Sequence, residues 1–156
     1  MDTLTALALI TGVLIAIWTF LSIAVLPDLS PWVGLAAWGC FFAAGGKTQG
    51  FQKTVFASLS GLVYVWVMMQ LLPRFGGSTL VYAILIGAIA FLMVVQSKVP
   101  QLSFIPGAFI GAAVTVGSGG GADLNHLLYV GLSLVAGAAL GFASETVAGS
   151  LAMKQR

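Results

Sequence analysis

Ten charged residues divide this 156-residue chain into long uncharged stretches. The charges are Asp2, Asp28, Lys47, Lys53, Arg74, Lys98, Asp123, Glu145, Lys154 and Arg156. Between them lie six uncharged blocks of 18 to 25 residues, namely Thr3–Pro27, Leu29–Gly46, Thr54–Pro73, Phe75–Ser97, Val99–Ala122 and Leu124–Ser144. About 20 apolar residues cross a hydrocarbon layer of roughly 30 Å. Each block therefore predicts one transmembrane helix, and the chain is predicted to be an all-α polytopic membrane protein with a single membrane domain over residues 1–156.

The composition disfavours a water-soluble protein. Hydrophobic residues make up 60% of the chain and charged residues only 6%, whereas soluble domains carry charge on about a quarter of their residues. A buried core helix is an alternative for any one block, but not for six in succession. Met1–Asp2 offers no basic region and the first apolar block is longer than a signal sequence needs, so the first helix is expected to remain. The net charge of +2 is small and scattered, which predicts no nucleic-acid partner.

The distribution of Lys and Arg predicts the orientation of the chain. If all six blocks cross, Arg74 alone lies on one side. The other side receives Lys47, Lys53, Lys98, Lys154 and Arg156. Basic residues in short loops mark the cytoplasmic side, so both termini are predicted to be cytoplasmic.

The second half of the chain restates the first at an offset of about 70 residues, which predicts two inverted halves of three helices over about residues 3–73 and 75–145. Gly61 and Gly131 hold corresponding positions. The charges that match at this offset have opposite signs, and the pairs are Asp28 with Lys98, Lys53 with Asp123, and Arg74 with Glu145. Three crossings per half reverse the sides of the loops, so a change of sign is the expected outcome.

The second and fifth segments are predicted to be short and to form a solute pathway. They are Trp32–Gly46 after Pro31 and Gln101–Gly117 after Pro100. Short or interrupted segments at matching positions of two halves indicate a binding region. Pro106 falls within the second of these patterns, where it would bend the helix and free the Leu102 carbonyl. The polar partners predicted for that carbonyl are Gln101, Ser103 and Thr115.

Large aromatic rings on these segments are predicted to line a narrow pathway that excludes ions. The candidate pathway residues are Trp38, Phe41, Phe42, Ser103, Phe104, Pro106, Phe109 and Thr115. Bulky packing inside a helical bundle is the alternative role for each ring. Trp32 at the outer interface is interpreted as a membrane-surface anchor.

The remaining features predict packing and turns rather than catalysis. The pairs Gly107 with Gly111 and Gly137 with Gly141 favour close helix contacts, within a subunit or between subunits. Gly117–Gly121 predicts a flexible outer turn before His126, which is expected to be solvated. Glu145 is expected at the cytoplasmic rim, with the sixth helix ending near Gly141. The lone Cys40, the single His and the lack of paired carboxylates predict no enzyme, no metal site and no cofactor.

Two stretches carry a resemblance to a known family: Trp38-Gly-Cys-Phe-Phe-Ala-Ala-Gly-Gly and Leu102-Ser-Phe-Ile-Pro-Gly-Ala-Phe-Ile-Gly. The chain resembles the small bacterial inner-membrane proteins of domain-of-unknown-function family 1097. That resemblance implies a bacterial cytoplasmic membrane, no agreed function and no site residues. The pairing of short aromatic segments in inverted halves also looks like the plan of urea-transporter-type channels, an analogy of architecture alone.

Three functions follow as hypotheses. The first is a small channel or facilitator for a small uncharged solute, assembled as a homo-oligomer in the lipid bilayer, with its pathway between the second and fifth helices. The second is a non-transporting assembly or regulatory partner of other membrane proteins, which a dry and fully packed bundle would favour. The third is an ion-coupled transporter, which burial of Glu145 or His126 would favour.

Overall fold

The computed structural model describes residues 2–119 and 123–153, and all regular structure within them is helical. The α-helices are α1 (Thr3–Ala24), α2 (Pro31–Ala43), α3 (Lys47–Leu71), α4 (Thr79–Val95), α5 (Ile105–Gly117) and α6 (Leu124–Met153). Short 3-10 turns cover Leu72–Phe75, Gln96–Lys98 and Pro100–Leu102. Gly120 and Gly121, which belong to the predicted glycine-rich turn, lie outside the described residues.

The helices fall into two length classes. Among the described residues, α1, α3, α4 and α6 are long and apolar enough to cross a membrane. The other two, α2 and α5, have 13 residues each. At 1.5 Å per residue they are about 20 Å long, less than the roughly 30 Å of a hydrocarbon layer. The membrane assignment and the short second and fifth helices are therefore confirmed, with four candidate crossings among the described helices.

The start of α5 corrects one prediction. Residues Pro100–Leu102 form a 3-10 turn, and the α-helix begins only at Ile105. Pro106 therefore lies in the first helical turn and does not bend a longer helix. Proline is favoured there because the first amides of a helix have no partner within it. The same rule accounts for Pro31 at the start of α2.

The end of α6 corrects a second prediction. The helix continues through Gly141 and ends at Met153, because no proline interrupts it and its buried face continues through Ser144 and Ala148. Glu145 consequently lies inside a helix, although its carboxylate reaches the loop that precedes α3.

Each short helix runs parallel to a long helix from the other half of the chain. Contacts of α2 with α6 advance in the same direction along both, from Ser30 with Ser133, through Gly34 with Gly137, to Trp38 with Ser144. Contacts of α5 with α3 do the same, from Gly107 with Ala57 to Ala112 with Gly61. Both short helices therefore lie alongside the central pair, α3 and α6.

Glycine makes both of these crossings possible. A Cβ on Gly61 would collide with the carbonyl oxygen of Ala108, and a Cβ on Gly137 would collide with that of Gly34. A Cβ on Gly131 would meet only Leu59 and Leu62, at ordinary contact distance, so the close backbone contact of α6 is made at Gly137. The starts of α1 and α4, of α2 and α5, and of α3 and α6 lie about 75 residues apart.

Two apolar clusters form the core. The first fills the space between α2, α3, α5 and α6 with Val33, Ala37, Leu62, Val114, Val130 and Leu134. The second joins α3, α4 and α5 through Val65, Met68, Ile89, Met93, Ala108 and Ala112. The outer helices α1 and α4 bury the smallest share of their length and present most of their apolar side chains outward. That distribution fits a protein whose outer surface contacts lipid.

Candidate solute pathway

Three of the predicted pathway residues, Trp38, Phe41 and Phe42, lie at or near the C-terminal end of α2. Trp38 is buried against α6, and its indole N–H donates to the Ser144 hydroxyl at 3.3 Å. Phe41 is fully buried and meets Phe142 of α6 edge to face, with ring centroids 6.3 Å apart. Phe42 packs on Phe41 at 5.3 Å but is 38% exposed. These rings seal the end of α2 against α6.

A carboxylate joins α6 to the start of α3 beside these rings. The backbone N–H of Lys47 donates to Glu145 Oε2 at 2.6 Å. The connection from α2 turns sharply, with Gly45, Gly46 and Lys47 all at positive φ. A Cβ on Gly46 would lie only 2.7 Å from Glu145 Oε1. Glu145 therefore caps the N-terminus of a helix other than its own, a role that stabilises the unpaired amides and the positive end of that helix.

The predicted residues around the start of α5 are more exposed. The exposed Ser103 hydroxyl donates to the Pro100 carbonyl at 2.8 Å, so it does not meet the Leu102 carbonyl as predicted. Phe104 is half-buried and covers Gly107. Pro106 is exposed in the first turn of α5.

The other two residues of α5 lie on different faces. Phe109 is 42% exposed and lines a groove of about 410 Å³ between α3, α4 and α5. Thr115 is buried, and its hydroxyl donates to the Gly111 carbonyl of its own helix at 2.7 Å. Its hydroxyl is therefore already satisfied and, like that of Ser103, does not meet the Leu102 carbonyl.

These aromatic residues do not converge on one opening. The Phe41 carbonyl lies beside Gly50 of α3, whereas the Phe104 ring lies with Ala57 around Gly107. Gly50 and Ala57 are seven residues apart, about 10 Å along the helix. The first apolar cluster occupies the space between α2 and α5.

Four side-chain atoms of the described residues are buried without a hydrogen-bond partner, namely the hydroxyls of Thr11 and Thr54, the indole nitrogen of Trp66 and Oε1 of Gln96. Thr11 and Trp66 are half-buried residues, whereas Thr54 and Gln96 are buried and were not selected from the sequence. Thr54 is fully buried, and its hydroxyl has no hydrogen-bond partner among the described residues. Gln96 is 8% exposed; its amide nitrogen donates to the Ser60 hydroxyl at 2.9 Å, while its Oε1 is buried without a partner among those residues. Buried polar atoms are normally paired, so these two call for an explanation.

A sequence signal for Thr54 existed. Gly50, Thr54 and Ser58 recur every four residues and thus form a small, polar stripe on one face of α3. Gly50 faces the end of α2, since a Cβ there would lie 3.1 Å from the Phe41 carbonyl. The Ser58 carbonyl lies against Gly111 of α5. Thr54 is therefore on the stretch of α3 between its contact with the end of α2 and its contact with α5.

The two side chains considered above for ion coupling, His126 and Glu145, lie at the start of α6 and opposite the start of α3. His126 is half-buried in the first turn of α6, with its Nε2 2.8 Å from the Ser118 hydroxyl. Glu145 is half-buried at the junction with α3. Burial in the bundle, the condition set above for ion coupling, is met by neither side chain. No group of three or more potential metal ligands occurs among the described residues.

Sequence comparison supplies the family. Residues 8–149 match the family described as "Protein of unknown function (DUF1097)". The chain belongs to this family. It is 34% identical over 116 residues to the "Inner membrane protein YcdZ" of Salmonella typhimurium, covering 74% of this chain and 71% of that one. The protein of that name in Escherichia coli K12 is 32% identical over 116 residues, covering 74% and 70%.

A third relative extends over more of the chain. The "Uncharacterized protein YahC" of Escherichia coli K12 is 30% identical over 154 residues, covering 93% of this chain and 90% of that protein. No solved structure matches this DUF1097 protein significantly. Membership of the family and the four long apolar helices together identify a multi-pass membrane protein of the bacterial inner-membrane type.

Proposed function

We propose that this protein is a passive facilitator for a small, uncharged, hydrogen-bonding solute, and that its pathway passes Thr54 at the junction of α2 and α5. The observation that carries the proposal is the Thr54 hydroxyl, which is fully buried within an apolar helical bundle and has no partner among the described residues. A buried polar group without a partner costs about 1–3 kcal/mol. A solute that exchanges hydrogen bonds with this hydroxyl removes that cost.

The surrounding side chains suit an uncharged solute. Trp38 and Phe41 are buried at the end of α2. Rings of this kind constrict a pathway and exclude hydrated ions. Gln96, with its unpartnered Oε1, provides a second acceptor further along α3, beside Ser60. In this proposal the first apolar cluster closes the pathway, and α2 and α5 separate when the solute passes.

The helix arrangement supports a two-fold plan. In an inverted repeat α2 corresponds to α5 and α3 to α6, so the α2–α6 contact and the α5–α3 contact are equivalent. Both are parallel and both depend on a glycine, Gly137 in one and Gly61 in the other. We therefore propose six segments that alternate in direction, as two inverted halves with the binding region between them. The excess of Lys and Arg at one end supports cytoplasmic termini.

We further propose that the protein is not an enzyme and that it functions as a homo-oligomer in which each subunit has its own pathway. The described glycine pairs on α5 and α6 contact neighbouring helices of the same chain, so they are not available to a second subunit. The subunit contact is proposed to use α4 instead. A Cβ on Gly87 would have no neighbour within 4 Å, and Leu80, Ile84 and Phe91 are exposed.

The test is stopped-flow light scattering from proteoliposomes challenged with glycerol, urea, methylamine or ammonia. Thr54→Val keeps the shape of the side chain and removes the hydroxyl, and we expect it to lower the flux of the transported solute at least severalfold. Thr115→Val is the matched control, because that hydroxyl is also buried but is bonded within its own helix. Vesicles no more permeable than empty ones to every solute would refute the proposal, as would an equal loss of flux in both variants.

The packed interface between α2 and α5 favours the second candidate, a non-transporting partner of other membrane proteins. The first apolar cluster fills that interface, and α1 and α4 present large apolar faces. The two functions are separated by the flux assay together with affinity purification from native membranes. A partner protein predicts a stoichiometric, detergent-stable complex with another membrane protein and no flux.

Ion-coupled transport is the least supported candidate. It predicts a carboxylate or imidazole buried inside the bundle, whereas Glu145 and His126 are only half-buried, Glu145 against the first amide of α3 and His126 in the first turn of α6. Flux that depends on a pH gradient and is abolished by Glu145→Gln would nevertheless favour it over the passive facilitator.

A further inference from the structure

A slot between α1 and α2 combines a polar pocket with an apolar groove. The first, of about 360 Å³, lies at the connection between the two helices and is called the polar pocket here because Ser22, Asp28 and Ser30 line it, together with Ile23, Pro27, Leu29, Pro31 and Trp32. The apolar groove, of about 200 Å³, is lined by Ile15, Trp18, Thr19, Pro31, Trp32 and Leu35. Pro31 and Trp32 belong to both linings, so the pocket and the groove are adjacent. We call them together the α1–α2 slot.

The slot runs along the direction expected of a lipid molecule. On α1 its lining descends from Ser22 through Trp18 to Ile15, seven residues or about 10 Å. On α2 it descends from Pro31 to Leu35. The end of the slot at Ser22 and Pro31 lies at the loop that follows α1. The end at Ile15 and Leu35 lies among apolar side chains. The polar and apolar parts are thus ordered as the headgroup and acyl chains of a lipid are.

The walls of the slot are held in place. The indole N–H of Trp18 donates to the Pro31 carbonyl at 3.1 Å, which ties α1 to the start of α2. The Ser22 hydroxyl donates to the Trp18 carbonyl at 2.7 Å within α1. On the side that faces away from these bonds, Trp32 is 46% and Leu35 48% exposed. The slot is therefore a formed surface that opens toward the bilayer.

The charge of Asp28 indicates which kind of lipid headgroup the pocket favours. Asp28 is an exposed carboxylate on the lining of the polar pocket, and within the described residues no hydrogen bond or ion pair engages it. A carboxylate attracts an ammonium group and repels an anion. The exposed indole of Trp32 offers a second attraction for the same cation through its ring face. An anionic headgroup would meet the carboxylate without a compensating cation on the lining of this pocket.

We propose that the α1–α2 slot binds one phospholipid with an ammonium headgroup, its ammonium at Asp28 and Trp32 and one acyl chain along the groove from Trp18 to Leu35. The groove holds only about 200 Å³, which is less than the volume of a helix segment about 10 Å long and about 10–12 Å in diameter with its side chains. This site is separate from the proposed solute pathway and does not depend on transport.

The test uses the full chain in vesicles of equal parts phosphatidylethanolamine and phosphatidylglycerol. In one preparation only the phosphatidylethanolamine has dibrominated acyl chains, and in the other only the phosphatidylglycerol has them. Bromine quenches tryptophan at short range, and Trp18 and Trp32 both line the slot. The two preparations have the same lipid composition, so a difference in quenching reports which lipid occupies the site.

We expect the phosphatidylethanolamine label to quench more strongly. Its occupancy of the slot should exceed that of phosphatidylglycerol by about two- to fivefold, which is the range of an exposed ion pair. Asp28→Asn should remove this preference, and Asp28→Glu should retain it. Asp123→Asn is the control, because Asn serves equally well as the N-cap of α6. Equal quenching by both labels in the native chain would overturn the proposal. A preference that persists in Asp28→Asn, or stronger quenching by phosphatidylglycerol, would also overturn it.

Discussion

Removing the hydroxyl of Thr54 is the sharpest perturbation that this structure suggests. Thr54→Val replaces the hydroxyl by a methyl group of similar size at a fully buried position. Thr115→Val makes the same change at an equally buried position on α5. The two sites differ in hydrogen bonding, because Thr115 donates to the Gly111 carbonyl and Thr54 has no partner among the described residues.

The two substitutions are therefore expected to change the free energy of unfolding in opposite directions. Thr115→Val loses one intrahelical hydrogen bond, which costs about 1 kcal/mol. Thr54→Val removes a buried polar group that has no bond to lose, and it gains about 1 kcal/mol as that part of the penalty is relieved. The two variants should thus differ by about 2 kcal/mol, which is roughly a 30-fold difference in the unfolding equilibrium constant.

The assay is reversible unfolding by sodium dodecyl sulfate in mixed micelles, followed by circular dichroism, with no solute present. Equal destabilisation by both variants would refute the reasoning, since it would mean that the Thr54 hydroxyl already has a partner in the folded protein. If Thr54→Val is more stable than the native chain but has a lower flux, the Thr54 hydroxyl contributes to function and not to stability.

Three further predictions concern packing and helix ends. Gly61→Ala should lower the free energy of unfolding by about 1–3 kcal/mol because its Cβ meets backbone, whereas Gly12→Ala, at an open position of α1, should be neutral or stabilising in the same assay. Glu145→Ala should lower the free energy of unfolding by about 1 kcal/mol, because the Lys47 amide at the start of α3 loses its acceptor. Glu145→Gln retains an acceptor and should recover most of that loss, so equal losses in the two variants would contradict the capping role. The bonds from the backbone and side chain of Thr5 hold the pKa of Asp2 below its ordinary value of 3.8, so the cap of α1 is complete above pH 3.8 and is lost as the pH falls through the lowered pKa. Hydrogen exchange of the backbone amides in the first turn of α1 should therefore accelerate as the pH falls below 3.8. An exchange rate that shows no such acceleration would exclude the cap.

The architecture was accessible from sequence wherever a bilayer imposes a strong local constraint. A charged side chain in hydrocarbon is costly, so the charge positions located the long helices, although α3 begins before Lys53 and α6 continues past Glu145. Helix length has a simple threshold in a membrane of about 30 Å, which is why α2 and α5 were recognised as short. The starting residue of α5 was wrong because proline is compatible both with a bend in a longer helix and with a first turn, and only the surrounding backbone distinguishes them.

The site was less accessible because its members are defined by contacts across the bundle. The spacing of Gly50, Thr54 and Ser58 indicated that Thr54 lies on a packed face, but nothing in the sequence shows that its hydroxyl lacks a partner among the described residues while that of Thr115 has one. The sequence predicts aromatic residues of two segments along one pathway, but it does not give their separation, which is about 10 Å along α3 between Phe41 and Phe104.

The sequence by itself determined that this chain forms apolar membrane helices, two of them short, because hydrophobicity and length are properties of each segment alone. Only the tertiary structure decided that Gly61 and Gly137 each lie against the backbone of a short helix, that Glu145 caps α3, and that Thr54 is buried without a partner among the described residues. Each of these depends on the register between helices distant in the chain. In a bilayer that register is set by close packing of small residues and by single polar contacts, which no single segment encodes.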